Sequence, residues 1–253
     1  MPLLTVDQVS KRYRQGQIEV QALQQVSLTI NEGEFVALVG PSGSGKTTLL
    51  NAIGGLDRPT SGRIQLRDVA LTALSDADLS DFRLFQLGFV FQAYNLVPVL
   101  SALENVELIM LLQGRSQTEC RQRAQSHLAM VGLESMMHRR PAELSGGQQQ
   151  RVAVARALAA EPKLVLADEP TANLDSENAT ALLDIMHHLS REAKTTFLFS
   201  THDPRVMERA ERIITLRDGA IVSDHSVIDN SATSNTATDK PPTGRTDDAA
   251  SSC

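Results

Sequence analysis

The run Gly40-Pro41-Ser42-Gly43-Ser44-Gly45-Lys46-Thr47 satisfies the spacing G-x-x-x-x-G-K-[ST], and Thr48 follows it. Residues of these types in this order make a cradle for phosphate. Glycines let the backbone curl so that several N–H groups converge on one concavity. A helix starting there adds the positive end of its dipole. Lys46 brings a mobile charge to the outer phosphates, and the Thr47 hydroxyl offers an oxygen to Mg²⁺. The chemistry implied is binding of a nucleoside triphosphate. A glycine-rich strand–helix turn with a chance Lys-Thr would not explain the flanks. An apolar strand, Phe35–Val39, precedes the loop, and a helical stretch, Thr48–Ile53, follows it.

A second element is Lys163-Leu164-Val165-Leu166-Ala167-Asp168-Glu169, an apolar strand ending in two carboxylates. In open α/β sheets the carboxyl ends of strands gather around the ligand crevice. Asp168 is placed there to hold Mg²⁺. Glu169, next along, points elsewhere and is placed to polarise an attacking water. A solvated acidic pair is the plain alternative. Gln92 ends the run Gly88–Phe91, and its amide oxygen can ligate a cation or hold a water. His202 follows the strand Thr195–Ser200, within reach of a γ-phosphate. Tyr13 lies on an early strand, where its ring either stacks on a base or simply packs. Ser145-Gly146-Gly147-Gln148 opens a helix. Its glycines offer a second anion site, while the Ser145/Gln148 spacing is also that of a capping box. Spacing leaves both readings open. Asp175 stands at the N-cap of a helix through Arg191.

The elements that must position these residues follow from pattern. Residues 3–30 read as two strands around a Gln15-Gly16-Gln17 turn, and Asn31-Glu32-Gly33 reverses the chain into the phosphate loop strand. Gly54 to Gly62 is a breaker cluster before a short strand, Arg63–Leu66. From about 93 to 160 the signals are helical: Ser101/Glu104 and Ser116/Glu119 have capping-box spacing, and Gly132 stops the second helix. This predicts a helical subdomain inserted into an α/β core. Ile213–Leu216 and Ala220–Val222 read as a closing hairpin. The stretch 229–253 has no large apolar residue and is expected to be a disordered tail behind a domain of 1–228.

Composition narrows the function classes. A chain of 253 residues with net charge −6 has no basic excess, so no nucleic-acid partner is expected. Cys120 and Cys253 are too few and too far apart for a disulfide framework or zinc site. No apolar run approaches the roughly 18–20 residues that span a bilayer, and the first residues carry no basic n-region. The expectation is a cytoplasmic protein that reaches any membrane through a partner.

Taken in order, Tyr13, Gly40–Thr48, Gln92, Leu144–Gln148, Leu164–Glu169, Asn173-Leu174-Asp175 and His202 resemble the nucleotide-binding subunit of ABC transporters, over about residues 3–224. The Leu-Ser-Gly-Gly-Gln run between the phosphate loop and the acidic strand is specific to that class. The resemblance implies a phosphate-loop NTPase core of the ABC ATPase type, with an N-terminal antiparallel β-subdomain and an inserted helical subdomain. It implies ATP and Mg²⁺ as ligands. It makes Tyr13 the adenine-stacking aromatic and assigns Gln92 to Mg²⁺, water and the membrane partner. Ser145, Gly146, Gly147 and Gln148 become the signature that closes on the γ-phosphate of an opposite subunit. Asp168 becomes the Mg²⁺ aspartate, Glu169 the catalytic glutamate, Asp175 the D-loop residue and His202 the switch histidine. Gly54–Gly62, Gly88–Gln92, Asn95-Leu96-Val97-Pro98 and Glu104-Asn105-Val106 resemble the lipoprotein-release and macrolide-export group, LolD and MacB, to which the cell-division ATPase FtsE is related. That group implies an ATP-sandwiched homodimer on the cytoplasmic side of the membrane, working a permease of MacB, LolC or FtsX type. Leu108–Gln113 lacks the proline expected in many members, which leaves the permease's identity open. The group also admits a signalling ATPase that moves no substrate. A soluble ABC ATPase of repair or translation would carry coiled-coil insertions or a second cassette, and this chain shows neither.

Overall fold

The structure, a computed structural model, describes residues 2–16 and 18–227. The expected tail and Gln17 of the expected first turn lie outside these residues. The chain opens with β1 (Pro2–Gln15) and β2 (Ile18–Asn31), an antiparallel hairpin. A reversal leads into β3 (Phe35–Val39), the phosphate loop and α1 (Lys46–Ile53). β4 (Ser61–Leu66) and β5 (Val69–Ala70) return beside β1, giving an antiparallel sheet ordered β2-β1-β4-β5.

The second sheet carries the site. After α2 (Asp76–Gln86) comes β6 (Leu87–Val90), then three helices: α3 (Ala102–Leu112), α4 (Gln117–Met130) and α5 (Gly146–Ala159). β7 (Leu164–Asp168), α6 (Ser176–Ala193), β8 (Thr196–Thr201) and α7 (Pro204–Arg209) follow. β9 (Arg212–Arg217) and β10 (Ala220–Ser226) close the chain. The strand order is β10-β9-β3-β8-β7-β6; all neighbours pair in parallel except the final hairpin. That hairpin turns through Asp218 and Gly219 at φ 49° and 76°, the two left-handed positions a tight hairpin requires. Gly219 also ties the turn to the site, since its N–H donates to Ser44 O at 3.0 Å.

Period-two alternation splits the core between the faces of this sheet. Phe35, Ala37, Val165, Ala167, Phe197 and Phe199 point to one face, where they join Val106, Met110, Ala124, Leu128 and Val152 of the helical block in one apolar cluster. Val36, Leu38, Leu164, Leu166 and Leu198 point to the other, against α1 and the antiparallel sheet. Phe35 lies 4.4 Å from Phe199 and 5.6 Å from Phe197, ring centre to centre. Each such buried ring contributes about 1.5–3 kcal/mol.

Three differences from the sequence reading have physical reasons. β6 stops at Val90 rather than running to Gln92, which sits in a turn two residues beyond the ladder. α2 fills a stretch that hydrophobic patterning does not disclose, because Leu79 is its one fully buried side chain. Its cap was readable: the Ser75 hydroxyl accepts from the Asp78 N–H, the S-x-x-D spacing. Ser116 forms only half of a capping box, accepting from Glu119 N–H.

Candidate active site

The phosphate loop springs from the carboxyl end of β3, at the centre of the parallel sheet. Two glycines are forced by close approach. A Cβ on Gly40 would stand 2.1 Å from Leu216 O, and one on Gly45 would stand 2.5 Å from Ala22 O. Gly45 also has φ 102°, which L side chains rarely adopt. Gly45 is the N-cap of α1, with no side-chain cap and no acidic residue in the first turn. Each of α2 to α7 has a Ser or Asp cap. The first-turn N–H groups of α1 are therefore left for an anion. Lys46 folds over the loop, its Nζ donating to Gly40 O at 2.8 Å and Pro41 O at 3.1 Å. Ser44 is buried behind the loop.

β7 brings the carboxylates alongside. The Thr47 hydroxyl donates to Asp168 Oδ1 at 3.1 Å, so the two expected Mg²⁺ ligands meet directly. A hydroxyl and a carboxylate, with the Gln92 amide across the cleft, are hard oxygen donors that fit Mg²⁺. Glu169 leaves the strand with φ 47°, a left-handed turn rather than simple alternation. Its N–H still pairs with Ser200 O at 2.9 Å. Its Oε1 lies 2.9 Å from His202 Nδ1, while Oε2 is buried with no protein partner.

One cleft of about 620 Å³ gathers Ser42, Gly43, Gly45 to Thr48, Gln92, Glu169 and His202. Val20, Gln21, Ala22 and Ala172 line it too, and residue chemistry did not single them out. Val20 is the cross-strand partner of Tyr13 and is half exposed, so an exposed apolar residue on a polar hairpin was the available signal.

Other expected site residues lie apart. The Tyr13 hydroxyl donates to Asp57 Oδ2 at 2.6 Å, and Lys11 Nζ sits 4.9 Å from its ring centre. Burial and the Asp57 bond push its phenol above the ordinary value. Asp175 caps α6, accepting from Asn178 N–H at 2.9 Å, and these bonds hold its carboxyl below the usual range. Ser145 and Gln148 close a reciprocal capping box on α5. Gly146 and Gly147 fill that helix's first turn. None of these residues lines the phosphate-loop cleft of its own chain. A residue the sequence did not flag links the turns that carry Glu169 and His202. Asp203 accepts from the Thr171 hydroxyl at 2.8 Å and is gripped by Arg205 Nε and Nη2.

Comparison with known proteins follows the same map. The family profile described as ABC transporter matches residues 23–172. The chain is 46% identical over 222 residues to YvrO of Bacillus subtilis, an uncharacterized ABC transporter ATP-binding protein, covering 88% of this chain and 96% of that one. It is 48% identical to the lipoprotein-releasing system ATP-binding protein LolD of Anaeromyxobacter dehalogenans, over 88% of this chain and 94% of that one. The macrolide export ATP-binding/permease protein MacB of Hyphomonas neptunium is also 48% identical, but this chain spans 34% of its length. Among solved structures, the ATP-binding cassette MJ0796, a dimer in a post-hydrolysis state bound to ADP and Pi, superposes with a TM-score of 0.83. Identity is 43%, over 88% of this chain and 98% of that one. A second dimeric MJ0796 structure, described as a bacterial ABC transporter cassette, gives 0.83 at 44% identity.

Proposed function

The chain belongs to the ABC transporter family, among ATPases of LolD and MacB type, and from that premise we propose that it powers a separate membrane permease by closing as an ATP-sandwiched homodimer. The observation that carries this reading is the separation of the two halves of the site. The phosphate-loop cleft holds Lys46, Thr47, Gln92, Glu169 and His202, whereas Ser145–Gln148 of the same chain stands outside it. A second copy supplies the missing half. The MJ0796 cassettes are described as dimers, one of them with ADP and Pi, which supports this arrangement.

Each residue then has a task. The Gly43–Thr48 N–H groups and Lys46 Nζ hold the phosphates, for which Lys46 exchanges its loop carbonyls. Thr47, Asp168 and Gln92 hold Mg²⁺, which screens the phosphate charge when bound. Glu169 Oε2, without a protein partner, accepts a proton from the attacking water, and the Oε1–His202 contact fixes the carboxylate's orientation. Tyr13 presents its ring to the base from the hairpin edge. Ser145 and the first turn of the partner's α5 cap the γ-phosphate, and Asp175 lies at the seam between subunits.

The permease contact falls on a groove of about 550 Å³ between α2, β6, α3 and α5. Its walls include Leu56, Leu84, Phe89, Phe91, Leu108 and Leu112, with Arg83 and Asp81 among its polar lining. An apolar patch with polar residues around it suits an apolar segment of a partner. Among the described residues no helix is long and apolar enough to cross a membrane, so we place the chain peripherally, on the cytoplasmic side, through this groove. The test is the mass of Glu169→Gln in solution. With ATP it should be a dimer and without ATP a monomer, with hydrolysis reduced about 100-fold or more. Adding Lys46→Ala should abolish the dimer. A monomer at saturating ATP would falsify the sandwich.

A further inference from the structure

The loop after β6 carries Gln92 into the nucleotide cleft; Asn173 Nδ2 donates to Gln92 O at 2.9 Å, and α5 holds the residues on either side of it. Tyr94 and Asn95 sit at φ 60° and 49°. Asparagine tolerates this region, but tyrosine enters it only under constraint. The constraint comes from α5. Arg156 Nη1 donates to Asn95 O at 2.5 Å and Nη2 to Tyr94 O at 3.0 Å. Gln150, fully buried on the same helix, donates to Phe91 O at 3.4 Å. At the head of α5, a Cβ on Gly146 would stand 2.8 Å from Tyr94 Oη. Tyr94 thus meets one helix twice: its hydroxyl packs close against Gly146 in the first turn, and its carbonyl accepts from Arg156.

The chemistry of Arg156 fits a fixed clamp. Among the described residues no carboxylate lies within ion-pair distance of it, and burial pushes its guanidinium below its ordinary value. A half-buried cation with no carboxylate beside it is satisfied by hydrogen bonds, and its planar fork matches two successive carbonyls. The helix is 14 residues long, about 21 Å, and runs unbroken from Gly146 to Ala159. Any shift of Ser145–Gln148 as a partner's nucleotide docks is therefore carried to Arg156, and from there to the backbone that bears Gln92.

We propose that Arg156, with Gln150, is a positioning residue for hydrolysis: it locks the 91–95 loop to α5, so that Gln92 reaches its working position only when the first turn of α5 reaches its own. This rests on the reading of Gln92 as a cleft residue given above. The clamp joins the half-site a chain uses itself to the half-site it lends to its partner.

The experiment measures steady-state ATPase and binding of a fluorescent ATP analogue on the full chain. Lysine's single ammonium lacks the planar two-nitrogen fork that Arg156 lays on these two carbonyls, so R156K should lower kcat at least tenfold while affinity changes less than twofold, because the Lys46 cradle is untouched. If Arg156 acts through Gln92, the double variant Q92A/R156K should be no slower than Q92A alone. Multiplying losses, or a parent-like R156K, overturns the inference. A parent-like Q92A removes both the role given to Gln92 and this inference with it. Should R156K not fold, Q150M decides. Gln150 Oε1 is buried without a partner, so an apolar side chain of similar shape should keep or raise the thermal midpoint. The same change should lower kcat twofold or more, and a parent-like kcat there overturns the proposal.

Discussion

Glu169 owes its reading to its backbone as much as to its carboxylate. The turn at φ 47° costs about 1–2 kcal/mol for a residue with a Cβ. That strain is held by neighbours, since Thr171, two residues on, is pinned to Asp203, itself beside His202. Asp203 therefore ties the turn that follows Glu169 to the turn that carries His202. Burial alone would raise its carboxyl, but hydrogen bonds from Arg205 and Thr171 outweigh this and hold it below the ordinary 3.8. A depressed folded value means stability that is fully present above about pH 4 and lost as pH falls through the folded value. Asp203→Asn should cost about 2 kcal/mol at pH 7, the loss of charged hydrogen bonds, read as a lower thermal midpoint. The gap to the parent should stay constant from pH 7 to pH 5 and narrow only below about pH 4. A gap that closes between pH 7 and pH 5.5 would transfer the effect to a histidine.

At the scale of elements, α1 is the helix whose beginning is left open, and Gly45 is why. Its left-handed φ and its approach to Ala22 O admit no side chain. Gly45→Ala must push β2 away or abandon the cradle. The expected outcome is at least tenfold weaker binding of a fluorescent ATP analogue, with a stability loss of about 1–2 kcal/mol from the φ strain alone. Parent-like affinity would mean that the first turn of α1 does not hold the phosphates. The loop and its flanking strand and helix were legible because their signals are local: a fixed spacing and an apolar run. β7 with Asp168 and Glu169 was legible for the same reason. α2 was not, because a helix that buries one leucine fully leaves little periodicity, and α7 has only six residues. Nor could spacing show that Tyr13 turns its hydroxyl to Asp57, or that Gln92 lies beyond its strand. Those facts depend on residues 44 and 81 positions away in sequence, which only tertiary packing brings near. The two readings of Ser145–Gln148 could not be separated either, since the capping box is formed and the turn lies outside its own chain's cleft.

For the whole molecule, the proposed coupling to a permease requires that nucleotide state be felt at a distance from the nucleotide. The cleft lies at the carboxyl ends of the parallel strands, and the apolar groove lies between α2, β6, α3 and α5. The loop after β6 joins the two regions: Gln92 lines the cleft, while Phe91 and Asn95 line the groove beside Arg156 of α5, which holds the loop. A permease segment seated there would rest against the same loop that enters the active site. Leu112 tests this without entering the cleft, because it is 62% exposed on α3 and lines only the groove. A glutamate there is solvated in the free chain, so the fold, the ATPase of the isolated chain and the ATP-dependent dimer of a Leu112→Glu/Glu169→Gln variant should all persist. Against a partner's apolar segment the same carboxylate would be stripped of water, a cost of several kcal/mol that weakens association more than tenfold. The measurement is recovery of the chain with a coexpressed permease of MacB, LolC or FtsX type from detergent-solubilised membranes, alongside the permease-dependent rise in ATPase. Leu112→Glu should lose both. Recovery and stimulation equal to the parent would move the permease contact to another face of the molecule.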